Sequence, residues 1–104
     1  MVGDTYQLTV NTQNRVTGHH LVSIGSLNET VVHSREVLRA AVAMNAWAVV
    51  LVHNHPSGGV NPSDADKRMT DRLAKAADIL QIKLLDHVIV AAKQRFSFRE
   101  AGLL

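Results

Sequence analysis

The run Trp47-Ala48-Val49-Val50-Leu51-Val52, followed by His53-Asn54-His55, constrains this chain more than any other stretch. A short continuous apolar run rich in β-branched residues suits a buried central strand. Side chains alternate along a strand, so His53 and His55 leave its end on the same side. Their Cα atoms fall roughly 6.5 to 7 Å apart, at about 3.3 Å per residue. Two imidazoles at that spacing can converge on one ion. Pro56 then stops the ladder by removing a donor, and Gly58 and Gly59 allow a tight, irregular loop. After Pro62, Ser63-Asp64-Ala65-Asp66 opens a helix, with a capping residue and an acid three positions later. Asp66, in the first turn, can swing back toward the strand end. Two histidines and one carboxylate form the kind of three-ligand set that catalytic zinc prefers, with a fourth position for water whose pKa falls to about 7. The same Ser63-to-Asp66 pattern is also a plain helix start, and the two roles are compatible.

With 104 residues, 46% of them hydrophobic, the chain can build one small domain around one core. It has no cysteine, so any metal must be held by nitrogen and oxygen. No apolar run approaches the length of a membrane span and no signal-peptide pattern follows Met1, so a cytoplasmic location and no membrane partner are expected. A net charge of +2 permits weak attraction to anions but does not by itself argue for nucleic acid.

Along the chain, Met1 to Asp4 reads as a tail. Tyr6 to Val10 and Arg15 to Ile24 read as a strand hairpin around Asn11-Thr12-Gln13-Asn14. Gly25 to Asn28 reads as a loop and Thr30 to His33 as a short extended piece. Ser34 caps a helix from Arg35 to about Asn45, in which Val37, Leu38, Ala41, Val42 and Met44 are apolar. A second helix runs from Asp64 to about Leu80, with Met69, Leu73, Ala76, Ala77 and Leu80 as its core face. Its Arg68, Arg72 and Lys75 stripe reads as a solvated surface. Lys83 to Ala92 and Arg95 to Phe98 are strands joined at Lys93-Gln94, and Arg99 to Leu104 is a tail or short helix. His87 reads as a core histidine bonded to a backbone group, and His33 as local structure.

The string His53-x-His55-Pro56 with Ser63-x-x-Asp66 resembles the JAMM motif of the MPN-type metalloprotease domains. The fuller His53-Asn54-His55-Pro56-Ser57-Gly58 with Pro62-Ser63-x-x-Asp66 resembles the RadC subfamily. So do His33-Ser34-Arg35-Glu36-Val37, Leu85-Asp86-His87-Val88-Ile89-Val90 and Phe96-Ser97-Phe98-Arg99-Glu100. The likeness spans essentially the whole chain. It implies an α/β domain with a mixed sheet and packed helices, the three-layer MPN/JAB fold shared in outline with cytidine deaminases. It further implies that residues 1–104 form a single MPN domain, the C-terminal part of a longer RadC-like protein. It makes His53, His55 and Asp66 ligands of Zn2+ and gives Ser63 a part in stabilising the oxyanion. In the family a glutamate on the strand before the first helix serves as general base; here that place falls on His20. The other upstream carboxylates are Asp4, Glu29 and Glu36, of which Glu29, in a loop, could approach the site.

Three functions follow from these readings. The first is a zinc-dependent peptidase or isopeptidase-like hydrolase in which Ser63 donates to the oxyanion and His20 or Glu29 moves the proton. The second is a non-catalytic MPN binding module without the glutamate base. The third, a DNA-repair role, comes only with the RadC name. A nucleobase deaminase is disfavoured, since its zinc site needs cysteines and a His-x-Glu. Self-association is left open.

Overall fold

A computed structural model describes residues 4–24, 34–55 and 59–104. The elements run β1 (Asp4–Val10), β2 (Val16–Ile24), α1 (Ser34–Ala43), β3 (Ala48–Asn54), α2 (Asp64–Ile79), β4 (Lys83–Val90) and β5 (Arg95–Ser97). They form a mixed five-stranded sheet in the order β2-β1-β3-β4-β5, in which only β3 and β4 are parallel. This is the expected α/β architecture. Asp4, read as tail, is the first residue of β1. The loop from Gly25, the extended piece to His33, Glu29 and the Pro56-Ser57-Gly58 turn lie outside the described residues.

Local chemistry sets the connections. In the β1–β2 turn the Asn11 side-chain oxygen accepts from the backbone N–H of Gln13 (2.9 Å) and Arg15 (3.1 Å), and Asn14 takes the left-handed φ of 60° that asparagine tolerates. Both helices end in the same way. At α1 the Ala46 N–H reaches back to the Ala41 carbonyl and Asn45 has φ 52°; at α2 the Ile82 N–H reaches the Ala77 carbonyl and Gln81 has φ 60°. Each closure turns the chain directly into the following strand, β3 or β4.

Both helices lie on one face of the sheet. Val37 and Ala41 of α1, Leu73 and Ala77 of α2, and Val49, Leu51 and Leu84 of the strands share one core cluster. The described residues therefore supply two of the three expected layers. Gln7, fully buried on that face, donates from its amide to the Val37 carbonyl at 2.8 Å and ties α1 to β1. The buried stripe of α2 is Thr70, Leu73 and Ala77; Leu80, expected in the core, is its exposed C-cap. The buried stripe thus includes Thr70, which has polar partners inside, beside the expected Leu73 and Ala77. On its outer face Lys75 pairs with Asp71 at 2.9 Å, in keeping with a solvated surface.

A one-residue irregularity decides what β4 shows the helices. Val49 pairs with Leu84 but Val50 with Asp86, so Leu85 is the extra residue. Strict alternation from Leu84 would turn Asp86 toward the helices and His87 away. The bulge reverses this. Asp86 instead faces the other side, where it accepts from the Ser97 hydroxyl at 2.5 Å and from the Arg99 backbone N–H at 3.0 Å. His87 enters the core level with Leu51.

Candidate metal centre

β3 runs through the middle of the sheet and feeds, by way of a loop, the first turn of α2. A parallel β3–α2–β4 crossover places the strand's carboxyl end beside the helix's amino end, a place where α/β sheets commonly bind ligands. His53 is the last buried side chain of β3, only 4% exposed, and His55 follows just past the strand. One ligand atom from each of His53, His55 and Asp66 lies within 4.8 Å of the others. The two imidazoles meet edge to face, with ring centroids 4.4 Å apart.

Two members of the set, His55 and Asp66, are oriented by hydrogen bonds. The His55 Nδ1 lies 2.9 Å from the Gly59 carbonyl. A carbonyl can only accept, so Nδ1 carries the proton and Nε2 presents a lone pair. Asp66 forms a capping box with Ser63: the Ser63 N–H donates to Asp66 Oδ2 at 2.9 Å, and the Asp66 N–H donates to Ser63 Oγ at 3.0 Å. That leaves Asp66 Oδ1 outside the box, and leaves the Ser63 hydroxyl proton available to an acceptor outside the helix. His53 has no hydrogen-bond partner for either ring nitrogen among the described residues, although both are buried. Leaving such an atom unpaired costs about 1–3 kcal/mol, and a cation shared with His55 and Asp66 would remove that cost for one of them. The donor set fits zinc: two imidazoles and a carboxylate, without sulfur.

Behind the set lies His87, completely buried. Its partner is a hydroxyl rather than the backbone group expected. Thr70 Oγ1 donates to the Asp66 carbonyl at 2.7 Å and lies 2.7 Å from His87 Nδ1. The hydroxyl has one proton, already given to Asp66, so His87 Nδ1–H donates to Thr70. The His87 ring stacks on Phe98 with centroids 4.5 Å apart and faces His53 at 6.0 Å. Burial, and then the neighbouring His53, push the His87 imidazole down to about 4, against the opposite pull of Asp66 and Asp86. Burial and then His55 lower His53 as well, with Asp66 opposing. Both rings are therefore neutral at pH 7, the form that ligates metal.

This sets a stability profile for the metal-free protein. In the unfolded chain His87 binds a proton near 6.5, whereas in the fold it does not until about 4. Between those values the unfolded state holds more protons, so stability falls as pH falls through that window and is flat with respect to this group above it. The expected loss by pH 4 is on the order of 3 kcal/mol. Urea midpoints at pH 7 and pH 4 should separate accordingly, and His87→Phe should narrow the gap; equal slopes for the two proteins would contradict it.

His20 stands apart from these groups. It pairs with Gln7, which pairs with Leu51, so it lies two strands from β3 and two residues short of the level of His53. Its ring borders a cavity of about 250 Å³ shared with Glu36, Arg39 and Met44 beneath α1. The set that could share an ion, among the described residues, consists of His53, His55 and Asp66 without it. Sequence reading missed Thr70 altogether. A threonine one turn after a capping-box acid was the available signal, and it reads equally well as an ordinary helix residue.

Comparison with known proteins gives a family match over nearly the whole chain. The profile of the RadC-like JAB domain family matches residues 3–103. A UPF0758 protein of Chlorobium chlorochromatii (strain CaD3) is 48% identical over 99 residues, covering 95% of this chain and 45% of that protein. One from Pelodictyon phaeoclathratiforme (strain DSM 5477 / BU-1) is 50% identical over 99 residues, with the same coverage. UPF0758 protein YfjY of Escherichia coli (strain K12) is 47% identical over 97 residues, covering 93% of this chain and 61% of that protein. The chain thus spans less than half the length of the first two relatives. No helix among the described residues is long and apolar enough to cross a membrane.

Proposed function

The chain belongs to the RadC-like JAB domain family, and we propose that it is a zinc-dependent hydrolase of amide bonds, of peptidase or isopeptidase type. The observation that carries this reading is the convergence of His53, His55 and Asp66 to within 4.8 Å from two different elements. Zinc, when bound, supplies a Lewis acid for a carbonyl oxygen and acidifies water toward neutral pH. His53 and His55 would hold the ion through ring nitrogens, and Asp66 would contribute the carboxylate that partly offsets its charge. Ser63 keeps the Asp66 backbone in place through the capping box, and its hydroxyl proton, which the box does not use, would donate to a developing oxyanion.

Proton transfer is the step least provided for. His20, which the resemblance sets at the family's glutamate position, lies two strands from β3 and borders a cavity lined by α1 residues. That placement favours a second reading, a metal-loaded module that binds its partner without cleaving it. One comparison separates the two. Zinc-loaded protein is expected to cleave members of a peptide library at a rate above the His53→Ala background; zinc binding with no cleavage above that background would leave the binding module. Under the second reading His20→Glu should create cleavage that the natural chain lacks, and no gain would count against inactivation through a single residue.

A further inference from the structure

We propose that Thr70 and His87 form a latch that positions Asp66 for the metal, so that both are positioning residues of the centre although neither reaches the ion. The three proposed ligands come from two elements that need not move together. His53 and His55 belong to the end of β3, while Asp66 rides on the first turn of α2. The capping box fixes Asp66 relative to Ser63, but both of those groups belong to the helix start and move with it.

The connection to the sheet is one turn further on. Thr70 Oγ1 gives its proton to the Asp66 carbonyl and takes one from His87 Nδ1, each at 2.7 Å. The chain of donors therefore runs in one direction, from β4 through Thr70 to the backbone of Asp66 itself. His87 cannot rotate to break it, because its ring is held by Phe98, with planes 5° apart, and faces His53 on its other side. His87 is parallel-paired with Leu51, two residues before His53, so the latch is anchored to the strand that delivers the histidines. A buried polar chain of this kind, ending on the backbone of a ligand, resembles the outer-shell support that metal sites generally use. Thr70 also occupies a buried helix position that an apolar side chain of equal size would fill without a hydrogen bond.

The inference rests on the metal-binding reading, and the test keeps the two separable. Metal-free protein would be titrated with Co2+, following the visible absorption of the bound ion and its competition with a chelator, for wild type, Thr70→Val, Thr70→Ser and His87→Phe. Thr70→Val keeps the volume and removes the hydroxyl; Thr70→Ser keeps the hydroxyl. The expected result is a Co2+ affinity about 10- to 100-fold weaker in Thr70→Val and His87→Phe, with altered band positions, and near wild-type behaviour in Thr70→Ser. Circular dichroism establishes which variants are folded at the titration temperature, and His87→Phe, which preserves the stack on Phe98, serves if Thr70→Val is not. Wild-type affinity and an unchanged spectrum in a folded Thr70→Val or His87→Phe would overturn the latch while leaving the metal site intact. Absence of Co2+ binding by the wild type would overturn both.

Discussion

Replacing His53 with alanine should abolish the stabilisation that zinc confers on this protein. If the ion binds the folded chain and not the unfolded one, zinc at 1,000 times its dissociation constant stabilises the fold by about 4 kcal/mol. For a domain of this size that corresponds to a rise in Tm on the order of 15 °C or more. In the His53→Ala protein the rise should vanish, because two remaining donors do not make the three-ligand set. The metal-free variant is also informative. His53 is buried with both ring nitrogens unpaired among the described residues, so truncation removes a desolvation cost while opening a cavity. The two effects oppose each other, and the metal-free Tm should move much less than the zinc-dependent shift. Thermal melts of both proteins with and without zinc provide the four numbers. An equal zinc-dependent rise in the two would remove His53 from the centre.

Phe98→Ala is expected to cost about 3–5 kcal/mol of stability, the range for deleting a fully buried aromatic side chain. The ring lies just past β5 and stacks on His87, whose ring in turn faces His53. Its loss would open a cavity next to a buried polar group and free the His87 ring to turn. Stability and metal affinity should therefore fall together, whereas a core truncation remote from the centre, such as Ile82→Ala, should lower stability alone. Denaturant midpoints and metal titrations of the two variants make the comparison. A Phe98→Ala protein that loses stability but keeps full metal affinity would separate the aromatic stack from the site.

Much of this architecture could be read from the chain. The apolar run into His53 had to be a buried strand, and Ser63 with Asp66 had to open a helix, because both signals are local. Their spacing allowed three potential ligands to converge, the resemblance named them as ligands, and the structure brings them within 4.8 Å of one another. What could not be read depends on pairings between distant segments. The bulge at Leu85 turns His87 inward and Asp86 outward, and alternation along a strand cannot reveal where alternation fails. Thr70 looks like a surface position until His87 is opposite it, and Leu80, at the helix end, is exposed rather than in the core. His20 was placed by the resemblance alone; the register with Gln7 and Leu51 shows how far along the sheet it lies from His53. The packing of both helices on one face is likewise a tertiary fact, since each helix has its own apolar stripe whichever side of the sheet it meets.

Zinc K-edge X-ray absorption on the zinc-loaded chain tests the central claim most directly. The account predicts one ion per chain in a nitrogen and oxygen shell at roughly 2.0–2.2 Å, with outer-shell scattering from two imidazoles, and no such ion retained by His55→Ala. A shell without imidazole scattering, or one unchanged when His55 is removed, would contradict it.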